Sequence, residues 1–183
     1  MAQVVPDLQT VVKHLKFIDE SGTHLGLTRL FARAAAGQRV VEATPGASGT
    51  HYTLLATLGW HGVGAVGVLA GAVDGLAFEA YVQQALAPTL RKGDVVVLDN
   101  LSAHKNARVQ ALIEARGARV VFLPPYSPDF NPIELCWAKV KSALRSAKAR
   151  TPEVLLAAIT EAFATISRQD IHAWFAHCGY VSS

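Results

Sequence analysis

Two carboxylates in the second half of the chain have surroundings typical of a functional site. Asp99 follows an unbroken apolar run at residues 95–98, and Glu134 follows a proline-rich segment at residues 124–132. Aspartate is rarely buried unless it is paired or bound to a metal, so an acid where a buried strand emerges suggests a site. If the fold brings Asp99 and Glu134 together, they could share a divalent cation, which prefers oxygen ligands.

The elements around Asp99 predict where it lies. The β-branched run at 95–98 is typical of a strand buried on both faces of a parallel or mixed sheet. A helical segment at 105–116 and a second apolar run at 118–123 predict a crossover to a neighbouring strand. Asp99 is thus expected at the carboxyl end of a central strand, where ligands gather in open α/β sheets.

The elements around Glu134 predict a rigid position. Three prolines exclude a helix over residues 124–130 and stiffen that loop. Asn131 suits the N-cap and Pro132 suits the first helical position, so Glu134 is expected in the first turn of a helix that runs to about Lys148.

The remaining pattern predicts an early sheet and a helical carboxyl end. Strands are expected at residues 14–19, 25–31 and 52–60, with an additional extended edge segment at 62–70. Helices are expected at 74–86, from Thr151 onward and at 168–178, and residues 1–12 read as a lead-in or linker remnant before a single domain at 13–183.

Three motifs carry a resemblance to a known family. Asp99 to His104 reads DN-x-x-x-H, residues 124–134 read PPYSPDFNPIE, and residues 16–22 read KFIDESG. These segments resemble the DDE transposases of the mariner superfamily, in the bacterial insertion-sequence-630 group. The family spacing of 34 residues between the last two acids equals the 34 residues, 100 through 133, that separate Asp99 from Glu134.

The resemblance implies an α/β fold, namely a ribonuclease H-like mixed sheet with helices on both faces. It also implies that Asp19, Asp99 and Glu134 are the catalytic and metal-binding residues of a Mg²⁺-dependent DNA transposase, and Mn²⁺ is expected to substitute. By family analogy, Asp19 would bridge two ions, and Asp99 and Glu134 would each complete one side. Such enzymes cleave DNA at insertion-sequence ends and transfer the freed 3′-hydroxyl to target DNA.

Partners and location are also expectations. Relatives carry helix-turn-helix modules ahead of the catalytic domain, and none precedes it here, so recognition of element ends is expected to need a helix-turn-helix partner or a missing amino-terminal module. A homodimer is compatible with this expectation. The sequence has no run of about 20 apolar residues and no signal peptide, which favours a cytoplasmic, nucleoid-associated protein without a membrane partner.

Several other polar residues allow two interpretations. Asn100 and His104 could position substrate phosphate or orient a water, and capping of the following helix explains them equally well. Asp129 reads as a turn former rather than a ligand. Cys136 and Cys178 lack a metal-ligand pattern and read as reduced structural thiols, and Trp137 reads as a core anchor.

The predicted helix after Pro132 has a positively charged face. At 100° per residue, Lys141, Arg145 and Lys148 lie within about 40° of Glu134 around the helix axis. With Lys139 and Arg150, the segment from 139 to 150 contains five basic and no acidic residues. It could track DNA phosphates, or it could be an ordinary solvated face.

Three functions therefore remain open. The first is a transposase catalytic domain. The second is a catalytically silent transposase remnant that binds DNA or a partner transposase. The third is another nuclease of the same fold, such as a ribonuclease H or junction resolvase, which the PPYSPDFNPIE segment fits poorly.

Overall fold

The structure is a computed structural model that describes residues 4–31, 33–41, 50–100 and 106–181. Its strands are β1 (Leu15–His24), β2 (His51–Gly59), β3 (Gly62–Ala70), β4 (Val95–Leu98) and β5 (Arg119–Phe122). Its helices are α1 (Val4–Gln9), α2 (Gly75–Tyr81), α3 (Ala107–Glu114), α4 (Pro132–Ala147), α5 (Pro152–Ala164) and α6 (Arg168–His177), and a π-helical segment (Val82–Leu86) extends α2.

The five strands form one mixed sheet in the order β3-β2-β1-β4-β5. The first three strands along the chain pair antiparallel, whereas β4 is parallel to both β1 and β5. Helices cover both faces of the sheet, so a strand between two parallel neighbours, such as β4, is expected to be apolar throughout. All four residues of β4 are buried accordingly. The predicted mixed α/β sheet is confirmed.

The prediction of a strand at residues 25–31 is wrong. β1 instead continues five residues past Asp19 to His24, and the chain then turns where the Gly26 amide donates a hydrogen bond to His24 Nδ1 at 3.0 Å. Leu30 and Phe31 are 67% and 90% exposed, so this apolar run lacks a strand partner within the part of the chain that is described. The third antiparallel strand is β3, because a two-residue turn at 60–61 returns the chain directly alongside β2.

The core consists of two apolar clusters, one on each face of the sheet. On one face, Leu15 and Phe17 of β1 pack with α4, α5 and α6. On the other face, Ile18 packs with α2, the π-helical segment and α3. Alternate residues of β1 therefore face different helical layers, which decides what each side chain can meet.

Both ends of the described chain contribute to this core. Leu8 of α1 is buried, although the pattern of residues 1–12 indicated only a lead-in. Thr151 caps α5 at the start of the helix predicted from that residue, accepting a hydrogen bond from the Val154 amide, whereas Val154 itself is 49% exposed. Cys136 and Cys178 are free and buried, as predicted.

Among the described helices, none is long and apolar enough to cross a membrane.

Candidate active site

Strand pairing brings Asp19 and Asp99 to neighbouring positions. β1 and β4 are parallel, with Phe17 opposite Val97. Two residues further along each strand are Asp19 and Asp99, at the edge of the sheet where β4 ends. Residues 80 positions apart in sequence therefore meet because the central strands run in the same direction.

Helix α4 brings Glu134 to the same place. Asp19 lies on the face of β1 that carries Leu15 and Phe17, and this face packs against α4. Glu134 occupies the first turn of α4, as predicted, and its side chain is exposed. Glu20 alternates to the opposite face, so the acid next to Asp19 in sequence does not point towards α4.

The electrostatic environment of Asp19 includes both of the other acids. Asp19 is only 9% exposed. Burial raises the pKa of its carboxyl group to about 7, a hydrogen bond from the Glu20 backbone lowers it in part, and the negative charges of Glu134 and Asp99 raise it further. Asp19 is thus a buried aspartate whose pKa is raised by the charges of two other carboxylates, an arrangement that favours a bound proton or cation.

An open pocket of about 320 Å³ lies between Asp99 and Glu134. Its wall is the proline loop, residues 124–128. The prediction that residues 124–130 contain no helix is wrong for Pro128–Phe130, which form one 3-10 turn, because the φ that proline fixes is compatible with the start of a helical turn. Tyr126 in this loop has a φ of 55° and is fully exposed. The pocket can thus admit a ligand from solvent to the two carboxylates.

Asn131 does not perform the capping role predicted for its side chain. It occupies the N-cap position of α4, but its side chain makes no capping hydrogen bond, and the Asn131 carbonyl oxygen accepts from the Glu134 amide instead. The residue is 5% exposed and lines the pocket, and its Oδ1 is buried without a hydrogen-bond partner among the described residues. Such an acceptor costs about 1–3 kcal/mol unless something in the pocket bonds to it. Sequence reasoning missed this feature because asparagine before Pro132 also has the signature of a cap.

Asn100 lines the same pocket beside Asp99. The capping alternative does not apply to it, because α3 begins at Ala107 and the Asn106 side chain caps it by accepting from the Arg108 amide at 2.9 Å. His104 falls outside the described residues. Asp129 is exposed and does not line the pocket, which agrees with its assignment to the loop rather than to the site.

The basic residues of α4 and of the three residues that follow it divide into two groups. Lys139 Nζ lies 2.7 Å from Asp170 Oδ2 and donates to the Thr165 carbonyl, so it joins α4 to the start of α6. Arg150 donates to the carbonyls of Leu25 and Leu27 and so holds the turn after β1. Lys141, Arg145 and Lys148 are partly exposed on the helix face that begins at Glu134.

Tyr180 anchors the end of the proline loop. Its hydroxyl donates to the Phe130 carbonyl at 2.7 Å, and its ring packs edge-on against Phe17. We expect Tyr180→Phe to lower the free energy of unfolding by about 1–3 kcal/mol, because the Phe130 carbonyl loses its partner. Urea denaturation measures this loss, and Tyr126→Phe, which changes an exposed tyrosine, should be neutral. Equal stability of wild type and Tyr180→Phe would show that the bond does not hold the loop.

The acids fit a hard divalent cation in donor chemistry. All three supply carboxylate oxygens, and Mg²⁺ is usually held by one or two carboxylates with several waters. Within the described residues, however, no group of three or more His, Cys, Asp or Glu side chains is arranged to hold a metal ion. Glu134, in the first turn of α4, is exposed, whereas Asp19 is buried.

The sequence matches a family described as DDE superfamily endonuclease over residues 14–155. No curated protein is significantly similar to the chain in sequence. Among solved structures, the Mos1 transposase paired-end complex with left transposon end is 19% identical with a TM-score of 0.69, covering 93% of this chain and 55% of that one.

Two further structures show the same fold. The mariner Mos1 paired-end complex with Mg is 18% identical, with a TM-score of 0.70, over 95% of this chain and 58% of that one. The catalytic domain of Mos1 mariner transposase is 16% identical, with a TM-score of 0.68, over 95% of this chain and 86% of that one. This chain thus spans little more than half of the longer Mos1 chains, and the ribonuclease H-like fold is confirmed. Because the family match covers most of the 183 residues, the protein belongs to the DDE superfamily of endonucleases.

Proposed function

We propose that this protein is the catalytic domain of a transposase that cleaves DNA strands at insertion-sequence ends and joins them to target DNA. The proposal is supported by a pocket lined by Asp99 and Glu134, whose charges raise the pKa of the buried Asp19 in a member of a DDE endonuclease family. Within that family we assign the chain to the mariner superfamily and its insertion-sequence-630 group, on the DN-x-x-x-H and PPYSPDFNPIE motifs.

The three acids would hold Mg²⁺, or Mn²⁺ in its place. Structures of Mos1 with Mg and with Mn support this choice of cation. Bound divalent ions supply stabilisation of the attacking and leaving oxygens of an in-line displacement at phosphorus. Asp19 is held rigidly on β1, whereas exposed Glu134 is free to turn towards it, so we expect Glu134 to close the site when the cation binds.

The neighbouring residues would position the DNA. The pocket places Asn100 and Asn131 beside Asp99 and Glu134, where their amide groups can bond to a phosphate oxygen or a water. Water would attack first and free a 3′-hydroxyl, which would then attack a target phosphodiester. Lys141, Arg145 and Lys148 would bind backbone phosphates leading away from the pocket, and Lys139 would contribute mainly by fixing α4 against α6.

We expect Asn131→Ala to separate function from stability. The free energy of unfolding should not fall by more than about 1 kcal/mol, because removing a buried acceptor without a partner offsets the lost packing of the side chain. DNA cleavage should fall about tenfold or more through loss of one substrate or water contact. The matched control is Asn106→Ala, which removes a real cap and should cost about 1 kcal/mol of stability without a direct effect on cleavage. If Asn131→Ala destabilised the protein without slowing DNA cleavage, Asn131 would have a purely structural role.

The direct test of the proposed function is DNA cleavage by the purified chain. Supercoiled plasmid incubated with Mn²⁺ or Mg²⁺ should be converted to nicked circles, and a precut DNA end with a free 3′-hydroxyl should join to the plasmid. Plasmid nicking does not require recognition of element ends.

We propose that recognition of element ends is performed by a helix-turn-helix partner or by a further module. We also propose that the catalytic domain spans residues 13–183, with residues 1–12 as its lead-in, and that it forms a homodimer.

A catalytically silent relative that binds DNA is the second candidate. It is favoured by the observation that, in the part of the chain described, no group of acids is yet arranged to hold a metal ion. Binding of DNA without nicking or joining under either cation, with a helix-turn-helix module supplied in trans, would establish it. Any cation-dependent cleavage that requires Asp99 would exclude it.

A further inference from the structure

A second concave surface lies at the opposite edge of the sheet from the acids. It is a groove of about 530 Å³ between the segment that enters β1, the turn joining β2 to β3, and the turn that precedes β4. We call it the basic groove and define it by its charged and histidine side chains, namely Lys13, His14, Lys16, His61, Arg91, Lys92 and Asp94. The candidate active site uses none of these residues.

The basic groove concentrates positive charge. It contains four lysine and arginine residues and one aspartate, a formal balance of +3 with both histidines neutral. The whole 183-residue chain also has a formal net charge of +3. The rest of the molecule is thus balanced, and a local excess of this kind attracts polyanions.

Part of this charge is already neutralised inside the groove. Asp94 has a side chain 7% exposed, and its carboxylate lies 3.7 Å from Lys16 Nζ and 3.7 Å from His14 Nδ1. It also accepts a hydrogen bond from the Arg91 amide at 2.9 Å. Asp94 therefore stabilises the turn that precedes β4 and pairs with Lys16. The other lysine and arginine side chains of the groove are available to a different partner.

These side chains, the outer cations of the groove, are Lys13, Arg91 and Lys92. All three are exposed, and none lies within ion-pair distance of an acid among the residues that the structure describes. The backbone of Lys92 lies close to Gly117. A Cβ atom added to Gly117 would lie only 3.3 Å from Lys92 Cα. Gly117 has a φ of 73° and its carbonyl accepts from the Gly93 amide at 2.9 Å, so the turn that presents these cations is preformed.

The groove is separate from the acid pocket. Asp94 precedes β4 and Asp99 follows it, so their Cα atoms lie about 16 Å apart at a rise of about 3.3 Å per residue. A ligand in the groove would not reach the acids unless it were long. A polymer with regularly spaced negative charges could contact the groove without occupying the pocket.

We propose that the basic groove binds the backbone phosphates of a DNA duplex, at a contact distinct from the pocket with Asp99 and Glu134. The choice of DNA rests on the proposed function. A site for a small anion would be built from buried donors, whereas the groove's outer cations are exposed side chains that contact phosphates without reading sequence.

The test measures affinity rather than chemistry, so it is independent of whether the chain cleaves DNA. Binding of a fluorescent mixed-sequence DNA duplex is followed by anisotropy in EDTA, over a range of salt concentrations, for the full chain and for Lys13→Glu/Lys92→Glu. We expect the double variant to bind at least about tenfold more weakly. The slope of log affinity against log salt should shrink by about 2, because two phosphate contacts are lost at about 0.9 each.

The matched control is Arg108→Glu/Arg168→Glu, which makes the same change in net charge. Both arginines are exposed and lie in the first turn of a helix, where glutamate is compatible with the helix dipole. Arg108 also lies 3.4 Å from Glu79, so Arg168→Glu alone, compared with Lys92→Glu alone, serves as the control without loss of an ion pair. Circular dichroism and thermal unfolding check that both proteins fold. Equal weakening in groove and control variants, or an unchanged salt slope in the groove variant, would overturn the inference.

A crosslinking arm locates the contact. Because Cys136 and Cys178 are buried, Lys92→Cys offers an exposed thiol for an azidophenacyl photocrosslinker. Lys92→Cys should form a covalent adduct with duplex DNA, whereas Gln169→Cys, on the exposed start of α6, should not. Adduct formation with RNA alone, or equally from both positions, would contradict a DNA contact in the groove.

Discussion

Replacing Asp99 with alanine is expected to abolish plasmid nicking and strand joining while leaving the fold intact. Asp99 lies at the end of β4, lines the pocket and is partly exposed, so its loss removes little packing. Loss of a metal ligand should forfeit several kcal/mol of transition-state stabilisation, which corresponds to at least about a 10³-fold fall in rate. Gel analysis of nicked product against time measures it.

The matched control for this prediction is Asp129→Ala. Asp129 is also an acid near the proline loop, but it is exposed and does not line the pocket, so its rate should remain within about threefold of wild type. Glu134→Gln should behave like Asp99→Ala. Robust cation-dependent nicking by Asp99→Ala would mean that the chemistry occurs elsewhere or comes from a contaminant.

Replacing Asp19 with asparagine should stabilise the metal-free protein at neutral and higher pH. The Asp19 carboxyl is buried beside Glu134 and Asp99, and its pKa is raised from 3.8 to about 7. The unfolded chain therefore loses this proton near pH 4 while the folded chain keeps it to about pH 7, so raising the pH across that interval favours unfolding. Across the full interval the wild type loses about 4 kcal/mol of its free energy of unfolding. Asp19→Asn should not lose it, because asparagine does not ionise.

Urea denaturation of both proteins between pH 4 and 8, in EDTA, measures this difference. The wild-type free energy of unfolding should fall relative to that of Asp19→Asn as the pH rises through the interval. At pH 8, Mg²⁺ or Mn²⁺ should restore stability to the wild type and have little effect on Asp19→Asn, because a cation that binds only the folded state stabilises it. If the free energies of unfolding of the two proteins changed with pH in parallel, the raised pKa of Asp19 would be contradicted.

The local chemistry of the sequence predicted the central elements well. The apolar run at 95–98 is β4, and the Asn131–Pro132 pair marks the start of α4, because strand burial and helix initiation depend on neighbouring residues. The segment at 25–31 shows the opposite case. Its alternating apolar residues are compatible with a strand, but a strand needs a partner, and the hairpin of β2 and β3 already fills the edge of the antiparallel half.

The candidate site divides in the same way. Residue types and spacing singled out Asp99 and Glu134, since a carboxylate after a strand or in a first helical turn is visible in the sequence, whereas Asp19 was assigned through the family resemblance of residues 16–22. The orphaned Oδ1 of Asn131 was not visible, because an asparagine before a helix is usually a cap and only the packed structure shows that its side chain does not cap. The basic groove was missed for a related reason, as Lys13, His61 and Lys92 are remote in sequence and belong to three different connections.

The sequence by itself predicted most of the helices and strands, although not the turn that follows β1, and its motifs pointed to three acids of the right chemistry for a hard cation. Tertiary structure alone decided that Asp19 is buried beside the other two, that Lys139 and Arg150 are bound within the protein, and that the cations around Asp94 face one groove. The physical reason is that backbone preferences act over a few residues. Burial, charge proximity and pKa depend instead on parallel pairing of β1 with β4 and on the packing of α4 across them.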